Sequence, residues 1–169
     1  MKCKVTHIQQ PYSGEFNERI YDIQSCWNSS DWTWIKFEEN NDVWCGEFRG
    51  KYRGVAISDK IEIVVVLTSD YMYVLDLLSK DIIDYRRQPM YLEITTTPFE
   101  DILLNDSYGL EIFTDKSISN LKTITLPING SNISFIEYCG DILKMTYEEY
   151  FNWPNRVEIS FDCSLLEFL

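Results

Sequence analysis

The stretch from Val55 to Leu75 limits the folds open to this chain more than any other part of it. Val55-Ala56-Ile57-Ser58 is a short β-type run, Asp59-Lys60 a turn, Ile61 to Leu67 an almost unbroken apolar run, Thr68-Ser69-Asp70 a second turn, and Tyr71-Met72-Tyr73-Val74-Leu75 a third run. Short segments rich in β-branched and aromatic residues, bounded by polar turns, read as strands. Connections this short leave no room for a parallel crossover, so successive strands must pair antiparallel. The Ile61 to Leu67 run, apolar at consecutive positions, predicts a buried strand.

The same pattern extends in both directions. Lys2 to Ile8 alternates in character and predicts a first strand. Trp32, Trp34 and Lys36 fall on one face of a strand whose other face carries Thr33, Ile35 and Phe37. The polar turn 38–42 and the return Val43 to Phe48 complete a hairpin over 32–48. Further strands are expected at Met90 to Thr96, Gly109 to Phe113, Leu121 to Leu126, Ile133 to Tyr138, Ile142 to Met145 and Val157 to Phe161.

Helix is expected only in short pieces. Phe16, Ile20, Ile23 and Trp27 recur at helical spacing behind a capping Ser13, with a strand as the alternative. Leu77 to Tyr85 reads as helix or strand. Thr97-Pro98-Phe99-Glu100 matches a capping box with Pro at the first helical position, so a turn or two of helix could run to Leu104. The competing reading there is a tight bend followed by strand Ile102-Leu103-Leu104. Tyr147 to Phe151 reads as a helical turn before Pro154. The fold class expected is therefore α+β and strand-dominated: an antiparallel meander, sandwich- or barrel-like, with a few short helices. No Pro/Gly/Ser-rich linker divides the chain, so residues 1–169 are expected to form a single domain.

There is an internal echo. Asp101-Ile102-Leu103-Leu104 recurs as Asp141-Ile142-Leu143-Lys144, and Val66-Leu67-Thr68-Ser69-Asp70-Tyr71 resembles Leu103-Leu104-Asn105-Asp106-Ser107-Tyr108. A period near forty with strand-turn-strand units is a propeller-blade spacing. The signature residues of WD repeats are absent, and the echo is read here as coincidence among short strands.

Composition separates the function classes. A hydrophobic fraction of 45% sets the chain apart from disordered sequences in spite of its net charge of −12. That charge repels phosphate backbones and anionic lipid surfaces and attracts basic proteins. Neither a nucleic-acid nor a membrane partner is therefore expected. The N-terminus lacks the apolar run of a signal peptide. The apolar run Ile63 to Leu67 is far short of the roughly 20 residues that span a bilayer. A cytoplasmic location is the expectation, with Cys3, Cys26, Cys45, Cys139 and Cys163 reduced.

Catalytic signals are sparse. His7 is the only histidine. The phosphate loop, the nucleophile elbow, the zinc helix motif and the dinucleotide fingerprint are all missing. Cys and His are too scattered for a zinc site. No cofactor, metal or catalytic residue is expected, and the protein is expected not to be an enzyme. Paired carboxylates such as Glu38/Glu39 or Glu148/Glu149 are read as solvated turn charge. The cluster Trp27, Trp32, Trp34 and Trp44 is read mainly as core, with one Trp left at the surface.

The distribution of acids is the most informative feature. Glu93, Glu100, Asp101, Asp106, Glu111 and Asp115 stand in residues 88–115 without one Lys or Arg. The bases gather at Arg49, Lys51, Arg53, Lys60, Arg86 and Arg87. This segregation predicts an acidic face whose candidate partner-binding residues are Glu38, Glu39, Asp42, Glu100, Asp101, Asp106 and Glu111, with Trp44 as an aromatic anchor. In size, acidity and expected location the profile resembles the immunity proteins of bacterial toxin–immunity systems. The resemblance is one of type and assigns no residue. It implies a protein that binds and occludes a basic toxin, with a nuclease as the expected partner. A carbohydrate- or protein-binding β-module using an exposed Trp face is the alternative. The sequence leaves the oligomeric state open.

Overall fold

A computed structural model describes residues 3–39, 42–127, 130–149 and 156–169. They form four four-stranded sheets, each drawn from one consecutive stretch of chain. Sheet A holds β1 (Lys4–Ile8), β2 (Asn17–Tyr21), β3 (Trp32–Glu39) and β4 (Asp42–Arg49) in the order β1-β3-β4-β2. Sheet B is the meander β5 (Tyr52–Ser58), β6 (Ile63–Thr68), β7 (Tyr71–Asp76), β8 (Ile82–Arg87). Sheet C is β9 (Glu93–Thr96), β10 (Ile102–Asn105), β11 (Leu110–Ile112), β12 (Lys122–Ile124), and sheet D is β13 (Gly130–Cys139), β14 (Ile142–Glu149), β15 (Arg156–Asp162), β16 (Glu167–Phe168). Every described pairing is antiparallel except β2 with β4.

The two-residue side-chain period of a strand decides how the sheets stack. All of β6 is buried. Its Ile63, Val65 and Leu67, with Met72 and Val74 of β7, pack against Ile102 and Leu104 of sheet C. The alternate residues Val64 and Val66, with Tyr71, Tyr73 and Leu75, pack against Ile35, Phe37, Trp44 and Phe48 of sheet A. Sheet C repeats the arrangement. Leu103, Leu110 and Ile112 turn away from sheet B to meet Ile133, Leu143, Met145 and Phe161 of sheet D. The sheets thus lie face to face in the order A, B, C, D. Each neighbouring pair packs as the two layers of a sandwich do, and the series continues to four layers.

First strands line one edge of the stack. Arg53 donates to the Tyr91 carbonyl (2.7 Å) and the Ile57 N–H to Thr96 Oγ1 (3.1 Å), which sets β5 parallel to β9. A Cβ on Gly54 would fall 2.4 Å from Ile94, so only glycine permits this approach. The Phe135 N–H donates to Glu93 (2.9 Å), and Thr95 meets the Tyr138 hydroxyl (3.2 Å), which sets β9 parallel to β13. Sheets B, C and D therefore repeat one arrangement, with their first strands side by side and parallel. The internal echo is structural after all. Asp101 and Asp141 each stand just before the second strand of a sheet. Val66 to Tyr71 and Leu103 to Tyr108 each leave the second strand for the third.

Helix is rarer than expected. Ile118–Asn120, one 3₁₀ turn, is the only helix among the described residues. The segment expected to be helical from Phe16 to Trp27 holds strand β2. Its would-be apolar face does not form: Ile20 and Trp27 are exposed, whereas Tyr21 stacks on Phe48 (4.6 Å) in the core. Leu77 to Tyr85 is a turn entering β8. After Thr97 the chain takes the bend-and-strand alternative into β10. Tyr147 lies in β14, and the rest of that expected helical turn, from Tyr150, lies outside the described residues.

A buried amide, Asn105, adds a third polar link across the C–D interface. Asn105 is fully buried. Its amide donates to the Ile133 carbonyl (2.6 Å) and to Glu93 (3.0 Å), and its oxygen accepts from the Ser107 N–H (2.8 Å). Replacing it by Leu leaves the buried Ile133 carbonyl without this donor and the half-buried Ser107 N–H without this acceptor. Asn105→Leu is expected to lose about 2–3 kcal/mol of stability, read as a lowered urea midpoint with unchanged slope.

Candidate functional site

Because the strands lie within the layers and run across the stacking direction, their connections collect at two opposite sides of the stack, its two ends. One end holds the β3–β4, β5–β6, β7–β8, β9–β10, β11–β12, β13–β14 and β15–β16 connections. Each brings at least one carboxylate: Glu39 and Asp42, Asp59 and Glu62, Asp76 and Asp81, Glu100 and Asp101, Asp115, Asp141, Asp162. Arg49, Lys51, Arg53, Arg86 and Arg87 lie toward the opposite end. Two thiols register this field. Burial pushes Cys3 above its ordinary value, and Glu39 and Asp59 push it further. Burial lifts Cys163 to about 11, aided by Asp162, Asp141 and Asp101.

Of the residues expected to bind a partner, Glu38, Glu39, Asp42, Glu100 and Asp101 come to this acidic end. Several are already engaged. Glu38 meets Lys36 at 3.1 Å, Asp42 meets Lys80 at 2.8 Å, and Asp101 meets Lys60 at 2.6 Å. Lys60 thus departs from the group of bases with which the sequence placed it. The other three candidates lie elsewhere. Asp106 is at the opposite end, where its carboxylate caps a turn by accepting from the N–H groups of Tyr108 (2.9 Å) and Gly109 (2.8 Å). Glu111 sits on the flank of sheet C and accepts from the Tyr91 hydroxyl, which also accepts from Arg86 (2.7 Å).

Trp44 lies inside. Its register opposite Phe37 puts it on the core face, stacked on that ring at 4.0 Å. At 5% exposure it cannot serve as a surface anchor. Trp32 and Trp34 occupy the opposite, outward face of sheet A, half-buried, and the Arg49 guanidinium covers Trp32 at 3.8 Å from the ring centre. The Trp cluster is therefore divided between two faces.

Three turns of the acidic end share one construction. The Asp76 carboxylate accepts from the N–H groups of Leu78 (3.1 Å) and Ser79 (2.9 Å), and Lys80 follows with φ 64°. Thr97 Oγ1 accepts from Phe99 (3.2 Å) and Asp101 (3.1 Å), and Glu100 has φ 66°. The Asp162 carboxylate accepts from Ser164 (2.8 Å) and Leu165 (3.1 Å), and Leu166 has φ 56°. In each, a side-chain oxygen at a strand end gathers backbone donors and a left-handed residue reverses the chain. The apolar residue held at each tip points into solvent: Leu78 is 90% exposed, Phe99 42% and Leu165 65%. Sequence reasoning missed these tips. Their signal is an Asp or Thr at a strand end with an apolar residue two or three positions on.

Two shallow clefts open beside these turns. One of about 220 Å³ lies between Cys3, Val5, Ile57, Asp59, Thr96 and Glu100. The other, about 240 Å³, includes Lys60, Ile61, Asp101, Phe113 and Leu166 in its walls. Among the described residues no three His, Cys, Asp or Glu converge to hold a metal ion, and no helix is long and apolar enough to cross a membrane. His7 stacks flat on Tyr52 at 4.0 Å.

No protein-family model matches the chain, and no curated protein matches it. Among solved structures it is similar to the N-terminal domain of Nup159, with a TM-score of 0.45, 11% identity, and coverage of 71% of this chain and 33% of that one. A complex of S. cerevisiae Dbp5 bound to Nup159 gives the same values. The chain spans about a third of the length of the chains it matches.

The turn carboxylates tie this end to pH. Backbone donation from Ser79, then Lys116, holds Asp76 below its ordinary value of 3.8. The Ser164 hydroxyl, then the Leu165 N–H, does so for Asp162. A carboxylate whose value is depressed by folding stabilises above its unfolded value, and that contribution is lost as pH falls through the folded one. The urea midpoint is therefore expected to fall as pH drops below about 4, and D76N/D162N to show a shallower fall.

Proposed function

We propose that the protein works by binding, and that its acidic end receives a positively charged protein in the manner of an immunity protein covering a basic toxin of the nuclease class. The observation that carries this reading is the collection of seven connections, every one with a carboxylate, at a single end of the stack. An end whose carboxylates outnumber its bases accelerates encounter with a basic surface and orients it. In the Lys60–Asp101 pair the lysine side chain is 57% exposed and the carboxylate 11%, so it is Lys60 that can swing aside and leave Asp101 to an incoming Lys or Arg. Occlusion needs no catalytic group and no cofactor. The toxin's own basic cleft, built to hold a phosphate backbone, supplies the complementary charge.

A second reading rests on Trp32 and Trp34, whose place on the outward face of sheet A suits a contact with carbohydrate or protein. Salt separates the two readings, since exposed charges are screened and aromatic stacking is not.

The test is titration of this protein against a purified nuclease encoded in the neighbouring reading frame. Activity is expected to vanish near a one-to-one ratio in low salt, and D59N/D101N/D141N to need at least tenfold more protein. A nuclease left fully active by excess protein contradicts the proposal.

A further inference from the structure

Sheet A, the terminal layer of the stack, buries a residue completely on the face that no other sheet covers. Trp44 and Phe48 of β4 turn toward sheet B. Cys45, next to Trp44 and opposite Lys36, turns outward, yet it is 0% exposed. The chain path supplies its cover. β1 and β2 run parallel at opposite edges of sheet A, and sheet B occupies the inner face. Residues 9–16 therefore cross the outward face to join them. From Ile8, opposite Trp34, to Asn17, opposite Trp44, they travel roughly 14 Å across the sheet and roughly 10 Å along it. Only Gln9, Gln10 and Pro11 precede the Tyr12–Glu15 turn, too few for a detour round an edge. The crossing thus lies over Trp34 and Cys45. Pro11 and Phe16 are half-buried while residues 12–15 are exposed, so these two side chains attach it. Glu15 comes near enough to act on the Cys45 thiol, which burial, then Glu47, Glu18 and Glu15, push up to about 11.

We infer that residues 9–16 form a strap that opens while the four-layer core stays folded, and that its opening uncovers Trp34 and Cys45. For its role the inference rests on the second reading, contact at the Trp face, and gives that face a gate. The hydrogen bonds of the strap are its own: the Tyr12 N–H donates to the Glu15 carboxylate (3.1 Å) and the Glu15 N–H to the Tyr12 carbonyl (3.0 Å). Among the described residues no hydrogen bond ties 9–16 to the strands beneath. A segment held by a few side-chain contacts opens at lower free energy than the core it covers. Charge acts in the same direction. The strap brings Glu15 toward Glu18 and Glu47, while Lys36, opposite Cys45, is engaged by Glu38 at 3.1 Å. With the strap closed, Trp32 under Arg49 is the aromatic outside its path. Opening adds Trp34 to it.

Cys45 reports the opening. In C3S/C26S/C139S, its labelling by N-ethylmaleimide is followed by peptide mass spectrometry across sub-denaturing urea, beside the equilibrium unfolding curve of the same variant. The labelling rate is expected to be nearly flat in urea, because lifting the strap exposes little surface, whereas exposure through unfolding of the core would follow the full slope of the curve. Adding F16S is expected to speed labelling about tenfold, the factor for releasing one half-buried aromatic side chain. Adding Y12S, at an exposed residue of the same strap, is expected to leave the rate unchanged. A Cys45 rate that rises with the full urea slope overturns the inference, since the thiol then waits on unfolding of the core. So does a rate that F16S leaves unchanged, since the strap is then not its cover. Neither readout uses a ligand, so a Trp face that binds nothing counts against the second reading and not against the strap.

Discussion

The structure depends on burial of sheet B on both faces. Five consecutive residues, Ile63 to Leu67, have no side chain directed at water, and a strand so composed is stable only between two layers. Odd positions take sheet C as their cover and even positions sheet A. Fully buried side chains of this size contribute roughly 1.5–3 kcal/mol each, so β6 and β7 hold together surfaces far larger than their own. Once sheets lie on both sides of β6, the chain can connect them only at the ends of the stack, where backbone polar groups reach water.

That constraint explains the charge map. Turns favour Asp and Asn because their side chains satisfy backbone donors that no ladder can reach. In this chain Asp76 and Asp162 do so at one end, and Asp70 and Asp106 at the other. The two ends part in their remaining charges. The arginines of β4, β5 and β8 sit toward the end of Asp70, where Arg49 clamps Asp22 with two bonds and Arg53 holds the carbonyls of Pro89 and Tyr91. The opposite end receives carboxylates from every sheet, and among the described residues their nearby counterparts are lysines and Arg19, which meets Asp81 at 3.6 Å. An acidic end is thus partly turn chemistry and partly excess, and the excess gives a basic partner something to bind.

The strands were legible because local pattern and tertiary burial agree along most of the chain. Trp32 to Phe48 reads as a hairpin in both, since its alternation matches a face against sheet B. The segment from Phe16 to Trp27 misled because four apolar residues happen to fall at helical spacing while only Tyr21, outside that set, is buried. No helical face was needed there; β4 had an open edge, and β2 filled it in parallel. Thr97 was correctly legible as a cap, and its hydroxyl does gather backbone donors. A cap signal does not distinguish the first turn of a helix from a tight bend, and the run Ile102-Leu103-Leu104 belongs to two cores at once, which only a strand allows. The forty-residue echo carried more meaning than its length suggested, for the same reason: equivalent strands of successive sheets face equivalent neighbours.

The candidate site was legible in its sign and only partly in its members. Glu38, Glu39, Asp42, Glu100 and Asp101 fall together because they flank turns of one parity. Asp106 has the same composition around it but follows the second strand of its sheet, and this parity sends it to the other end. Trp44 was placed with Trp32 and Trp34 by residue type, whereas its register opposite Phe37 turns it inward. The exposed tips were invisible because an isolated Leu or Phe in a turn looks like any other surface residue until its neighbours' hydrogen bonds are known.

The two-sided burial of sheet B is tested most directly by amide hydrogen exchange resolved along the chain. The slowest-exchanging amides are expected in β6 and β7, followed by β10, with the edge strands β1 and β16 exchanging first. If the amides from Val64 to Leu67 exchange as fast as those of β1, sheet B is not the enclosed layer on which the stack and its acidic end are built.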